Sequence, residues 1–244
     1  MYFEKLVLPK GKNTSNSQLH QVHLKKIFAY GDNNFDDDGF GCLYRCVQTL
    51  RSFYGKPNVT VKSLMRRLDK EPDYDAPLIS MWAEPSDVPI LIALDPKFPQ
   101  VCHLVIFSKN LDDAKQILKR PPQRAIITDY DELIVDPESL WTFMDTSIVA
   151  GHPLIVDDKT CSYVVYGTYH DKTTNQKYLC IVDPHRPDLR QRMYSWSAFI
   201  KRQWLLTTRD LPCSCDLDGT DHYDMEITET KTTAKKINAK TKIK

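Results

Sequence analysis

Glycine is scarce in this sequence, with 8 in 244 residues against 15 prolines, so collagen-like and low-complexity chains are excluded. Long apolar runs are missing as well. A membrane-spanning helix needs about 20 consecutive apolar residues, and the runs here are short, such as Leu104-Val105-Ile106-Phe107. Residues 1–10 carry no apolar stretch with a small-residue cleavage site, so no secretory signal is expected. Nor is there an excess of one charge. Thirty-three Lys and Arg balance 32 Asp and Glu to a net +1, which leaves no cation surplus to drive binding to nucleic acid or a membrane surface. The seven cysteines are odd in number and sit in a long chain for which no leader is expected. Free thiols in a reducing compartment, the cytoplasm, are the expectation. Cys213-x-Cys215 with His222 downstream lacks a second ligand pair, so neither a metal nor any other cofactor is expected.

What is present is enough apolar material, 41% of residues, for one large domain or two small ones. Residues 1–25 are mixed and polar, with Asn13, Ser15, Asn16 and Ser17, and read as a mobile arm. Residues 31–41, GDNNFDDDGFG, are turn chemistry. The period then changes: Leu43, Cys46 and Val47, Leu50, Phe53 and Tyr54 make a helical apolar stripe that Gly55 and Pro57 stop. Further helices are expected at 61–68, 88–94, 111–119 and 137–150, the last with Pro137 in its first turn. Strands are expected at 102–107, 125–128 and 153–156. Ser162 to Tyr169 and Lys177 to Val182 flank the polar linker HDKTTNQ and read as an antiparallel hairpin. Trp196 to Leu206 closes the domain. Residues 231–244, KTTAKKINAKTKIK, hold six Lys and no acid and read as a disordered tail. The expected organisation is an arm at 1–25, a folded domain at 26–211 and an extension at 212–244.

Two places could carry chemistry. Cys42 follows a glycine-flanked turn and opens a helix, where unpaired backbone N–H groups and the positive end of the macrodipole favour thiolate over thiol. Gly39 and Gly41 leave room for a substrate chain to approach. Asp36, Asp37 and Asp38 oppose the thiolate unless they point away or are paired. The second place is Asp183-Pro184-His185 at the end of a strand. Positions i and i+2 of an extended chain share a face, so the carboxylate can orient the imidazole as a base serving a cysteine needs. His152, His170 and His222 lack that carboxylate. Tyr30, twelve residues before Cys42, is by composition no better than the other eleven tyrosines. Arg45 and Gln48 read as helix-face or local hydrogen-bonding residues.

The segment Asp37-Asp38-Gly39-Phe40-Gly41-Cys42-Leu43-Tyr44-Arg45-Cys46-Val47-Gln48-Thr49-Leu50 resembles the cysteine box of the proteases specific for the ubiquitin-fold modifier: an acid, Gly-Trp-Gly-Cys, a Tyr-Arg pair and Gln-Thr. Asp183-Pro184-His185 is similar to that family's Asp-Pro-His, and Tyr30 stands where the family has a tyrosine twelve residues ahead of its cysteine. The segment SMWAEPSDVPIL around Trp82 is a weaker match. The resemblance spans about residues 25–210. It implies an α+β, papain-like cysteine protease fold with a mostly antiparallel central sheet and the nucleophile at a helix N-terminus. It implies a thiol protease that cleaves after the C-terminal Gly of a ubiquitin-like modifier, both in precursor processing and in deconjugation, with that modifier and its conjugates as partners. Cys42 would be the nucleophile, His185 the general base, Asp183 its orienting acid and Tyr30 an oxyanion donor; Gly41 and Trp82 would line the substrate tail. Phe40 departs from the family's Trp. Asp157 and Asp158 stand where members have consecutive glycines, on the wall of the substrate channel. The autophagy cysteine proteases share the Gly-Trp-Gly-Cys box, the Arg-Cys-x-Gln continuation and Asp-Pro-His, and rank second, with ubiquitin-directed relatives third. A non-catalytic module that grips a ubiquitin-like protein is the alternative class. A monomer is expected.

Overall fold

The computed structural model describes residues 16–68, 81–84, 87–88, 91, 102–109, 132–188 and 190–209. The expected helix at 111–119, the strand at 125–128, most of the segment 88–94 and the Cys213–Cys215 pair lie outside them. Within them the chain runs β1 (Ser17–Gln21), a 3-10 turn (Asp32–Asn34), α1 (Cys42–Phe53), α2 (Val61–Arg67), β2 (Cys102–Phe107), β3 (Glu132–Ile134), α3 (Pro137–Val149), β4 (Leu154–Asp157), β5 (Ser162–Asp171), β6 (Gln176–Val182), β7 (Gln191–Ser195), α4 (Trp196–Phe199) and β8 (Trp204–Arg209). No helix among the described residues is long and apolar enough to cross a membrane.

The strands form one sheet in the order β3-β2-β8-β4-β5-β6-β7, with β1 added beside β5. Among the described strands only the β2–β3 pair is parallel; the fold is α+β with a mostly antiparallel sheet. Residue pattern explains the layering. On β5, Val164 and Tyr166 pack with α1 and α2, while Tyr163 and Val165 pack with α3 and α4 on the opposite face. Successive side chains of a strand point to opposite faces, so a run that is apolar at every position demands cover on both. The run Tyr163-Val164-Val165-Tyr166 meets that demand and is buried throughout.

β5 changes neighbour partway along. Its first half pairs with β4, from Ser162↔Asp157 to Val165↔Leu154, and its second half pairs with β1, from Gly167↔Gln21 to Asp171↔Ser17. The register against β6 shifts between Val165 and Gly167. At the switch the backbones crowd: a Cβ on Gly167 would lie 2.8 Å from the carbonyl oxygen of His20. β1 falls inside the stretch whose composition reads as a mobile arm, and it is paired along its whole length. Its polar alternation, Ser-Gln-Leu-His-Gln, concealed a strand that caps a sheet rather than filling a core.

Local chemistry sets the helix starts. Thr60 accepts from the Ser63 N–H at 3.2 Å to cap α2, and Asp136 accepts from the Ser139 N–H at 2.7 Å to cap α3, with Pro137 in the first turn. α1 has no side-chain cap. It is buried along almost its whole length, from Leu43 to Arg51, and so sits inside the protein with its N-terminus aimed at the sheet end. The closing segment 196–206 is two elements, α4 and the start of β8, because Phe199 stacks on Trp204 at 4.2 Å and folds the chain back.

Candidate active site

Three pieces of chain meet at the N-terminus of α1: the loop 27–41, the β4–β5 turn and the loop after β6. The loop 27–41 is fixed by buried ions. Asp37 receives the Arg45 Nε at 2.7 Å on one oxygen and the Arg45 guanidinium and the Gly31 N–H on the other, at 2.7 and 3.0 Å. Arg45 also donates to the Asp32 carbonyl at 2.8 Å and to the Gln48 side chain at 3.1 Å. Of the three aspartates before the cysteine, Asp37 is buried and paired and Asp36 and Asp38 face solvent. Gly41 is required by space rather than by backbone angle: its φ is −83°, yet a Cβ there would fall 2.0 Å from the Asp37 carboxylate.

The loop after β6 is tied to the same unit. Arg190 makes a two-pronged ion pair with Asp32 at 2.9 and 3.0 Å and donates to the Ile27 carbonyl at 3.0 Å. The Tyr30 N–H donates to the Pro184 carbonyl at 3.0 Å. Asp183 is buried at the strand end. One oxygen takes both the His185 Nδ1 at 2.8 Å and the His185 backbone N–H at 2.9 Å; the other is in contact with the Arg192 guanidinium. The Asp183–His185 spacing therefore places a carboxylate behind one ring nitrogen and leaves the other facing out.

Around the Cys42 sulfur stand three groups. The Ser162 Oγ lies 3.4 Å from it, and the Tyr30 phenol and the His185 imidazole are close enough for Cys42 to shift the acidity of both. The Tyr30 and His185 rings meet edge to face at 5.0 Å. Burial, with the charge and hydrogen bond of Cys42 added, holds the Tyr30 phenol far above its ordinary value, so it stays a proton donor. Burial by itself would depress the imidazole of His185; hydrogen bonds with the sulfurs of Cys161 and Cys42 override it and raise it to about 9. Cys161 is the thiol that sequence reasoning missed. It lies just before β5, half-buried, and its hydrogen bond with His185 lowers it below the ordinary thiol range. Nothing in the sequence distinguished it from a small apolar residue before a strand.

Asp157 and Asp158 turn inward. Asp157 accepts from the Ser162 hydroxyl at 2.5 Å and from the Lys159 N–H at 2.6 Å. Asp158 takes the N–H groups of Thr160 and Cys161 at 3.0 and 2.8 Å and pairs with Arg202. Both carboxylates are engaged in building the turn. Trp82 donates its indole N–H to the Gly39 carbonyl at 2.6 Å, which sets the ring beside the loop that precedes Cys42. Of the residues named from sequence, Cys42, Tyr30, His185 and Asp183 thus come together, Gly41 packs behind Cys42, Trp82 borders the preceding loop, and Asp157 reaches the sulfur only through Ser162.

No known protein family matches the sequence, and no curated protein does. The crystal structure of UfSP from C. elegans matches in fold with a TM-score of 0.54 at 14% identity, over 79% of this chain and 34% of that one. The chain thus spans about a third of the length of that structure. At this identity the match shows the fold, which is similar to the papain-like protease fold of UfSP.

Proposed function

We propose that this chain is a thiol protease acting on a ubiquitin-like protein, with the ubiquitin-fold modifier as first substrate. The observation that carries it is the convergence at one sulfur: Cys42 at the start of a buried helix, in contact with an imidazole that a buried carboxylate orients and with a phenol that keeps its proton. The resemblance of the two sequence boxes and the fold similarity to UfSP support the same reading independently.

In this reading the Cys42 thiolate attacks the carbonyl carbon of the modifier's terminal Gly. The Tyr30 hydroxyl donates to the oxygen as it gains charge. The imidazolium of His185 then protonates the departing amine, and a thioester remains. His185, now neutral, takes a proton from water, which attacks the thioester and releases the acid and Cys42. Asp183 holds the ring through Nδ1, with Arg192 on its second oxygen. Gly41 and Trp82 border the path of the substrate tail, and Asp157 and Asp158 shape its wall by holding the β4–β5 turn. No step uses a metal or organic cofactor.

Two thiols bear on the acidity of His185, and Cys42 is assigned as nucleophile because it opens a helix and also bears on the Tyr30 phenol. The experiment is labelling with a ubiquitin-fold modifier probe whose C-terminus carries a cysteine-reactive group, with ubiquitin and autophagy-modifier probes in parallel. The expected adduct maps to Cys42, disappears in Cys42→Ala and survives Cys161→Ser. An adduct that persists in Cys42→Ala, or equal labelling of wild type and Cys42→Ala, rejects the assignment. Stoichiometric binding of a modifier without any adduct would make the chain a non-catalytic module.

A further inference from the structure

The Cys42 sulfur has a polar neighbour that this mechanism leaves unused. Ser162 is fully buried at the start of β5, on the face that packs against α1, and its Oγ is 3.4 Å from the sulfur. The same hydroxyl is 2.5 Å from the Asp157 carboxylate, which is itself buried and locked by the Lys159 N–H at 2.6 Å. Asp157 and Ser162 are directly paired across the β4–β5 hairpin, so strand register fixes their separation. The result is a continuous chain, Asp157–Ser162–Cys42, that joins the sulfur independently of His185.

We propose that Ser162 and Asp157 are positioning residues for Cys42, and that the charge on Asp157 decides which form of the sulfur the Ser162 hydroxyl supports. The proposal rests on Cys42 being the nucleophile. A serine hydroxyl has one proton and two lone pairs. When Asp157 is a carboxylate, that proton goes to Asp157, and Ser162 can only accept from the Cys42 S–H. The thiol is then held and the thiolate meets a lone pair. When Asp157 is protonated, its O–H donates to Ser162 Oγ, and the Ser162 proton turns to the sulfur and supports the thiolate. The two arrangements differ only in the direction of two hydrogen bonds and in the one proton that Asp157 takes up from solvent.

The surroundings make that proton available in the physiological range. Burial raises the Asp157 carboxyl to about 6, against the hydrogen bonds from Ser162 and Lys159 that favour its charged form; the charges of Asp158 and Glu84 add to the rise. Cys42 and Cys46 of α1 face the same pocket of charge, Cys46 feeling both Asp157 and Cys42. Asp158 is itself spent on the turn and on Arg202, so Asp157 is the carboxylate whose state reaches the sulfur through a hydrogen bond.

The test is the pH dependence of iodoacetamide alkylation of Cys42, read by peptide mass spectrometry on the full chain. It needs no modifier substrate and separates Cys42 from Cys161. Asp157→Asn keeps an acceptor for Lys159 and supplies an N–H donor to Ser162, and so imitates the protonated carboxyl. It is expected to move the acid midpoint of alkylation down by about half a unit to one unit, a roughly three- to tenfold gain in thiolate at a pH on that limb. In the Ser162→Ala background the same change is expected to move the midpoint by less than about a third as much. Equal shifts in the two backgrounds would mean that Asp157 acts through space and Ser162 carries nothing; no shift in either would also overturn the proposal. Should Asp157→Asn fail to fold, Ser162→Ala alone decides, because it removes the acceptor that holds the thiol: a midpoint lower than wild type supports the proposal and an unchanged one rejects it. A Ser162-dependent shift in a chain that cleaves no modifier would count against the protease reading and show only that Asp157 and Ser162 set the state of the Cys42 sulfur.

Discussion

The backbone N–H of Tyr30 donates to the carbonyl of Pro184 at 3.0 Å, and the Tyr30 ring meets the His185 ring edge to face at 5.0 Å. The residue assigned to the oxyanion and the residue assigned as base are therefore placed by one shared junction, so a change in either backbone moves both. Tyr30→Phe keeps the ring and the junction and removes only the hydroxyl. It is expected to lower kcat of modifier cleavage by about ten- to a thousandfold, the upper end being that of one oxyanion donor, with iodoacetamide still alkylating Cys42. A cleavage rate equal to wild type would remove Tyr30 from the chemistry.

His185 is half-buried at the end of a strand, with its ring 5.9 Å from that of Tyr163 at the margin of one core. His185→Ala is expected to abolish cleavage while the circular dichroism spectrum stays that of the folded wild type. Arg192→Met should act on the same ring from a distance, by releasing the second oxygen of Asp183; cleavage falls and the ring's Nδ1 proton signal in the NMR spectrum moves. An unfolded His185→Ala would show that the ring is a packing residue.

The imidazole of His185 is raised to about 9 by its two sulfur neighbours, despite burial. Two consequences share a sign. In the proposed mechanism the imidazolium protonates the leaving amine, so the alkaline limb of cleavage should have a midpoint near 9, and Cys161→Ser should lower it by removing one of those neighbours. Stability follows the same proton. A group bound more tightly to its proton in the folded state stabilises the fold fully below its unfolded value, near 6.5, and that contribution is lost as pH rises through about 9. Urea unfolding across this range should show the decline in wild type and a flatter profile in His185→Ala. An alkaline limb centred near 6.5 would contradict the assignment.

The Asp37–Arg45 pair is fully buried. Asp37→Ala leaves the guanidinium without its partner in the interior, a loss of about 3–5 kcal/mol in this class of change. It also frees the turn that presents Cys42. Both a lower urea midpoint and slower alkylation of Cys42 are expected. Gly41→Ala should produce a milder form of the same defect, because its methyl group would have to push the Asp37 carboxylate aside.

Much of this arrangement was legible in the residues themselves. Cys42 at the head of α1 followed from turn residues giving way to a helical stripe, and the Asp183–His185 pair followed from the two-residue period of a strand end. α3, β2 and the β5–β6 hairpin announced themselves by a proline at the first turn, an apolar run and a polar linker. The strands β1, β3 and β7 did not. Ser17–Gln21 and Gln191–Ser195 are polar at most positions because they lie toward the sheet's margins, and Glu132–Ile134 is three residues long, too short to show a period. Cys161 and Ser162 at the site were equally silent: their importance comes from the hairpin register that carries them to His185 and to Cys42, the latter more than a hundred residues away in sequence.

The partner exchange along β5 separates two tasks within one strand. Its leading end, beside the Cys42 sulfur, is held by β4, whereas its trailing end is zipped by Ser17–Gln21. Excising residues up to Gln21 would thus fray the distal margin of the sheet and lower its resistance to heat, yet leave the chemistry at Cys42 resting on an intact hairpin: durability and reactivity could be tuned from opposite ends of the same ten residues.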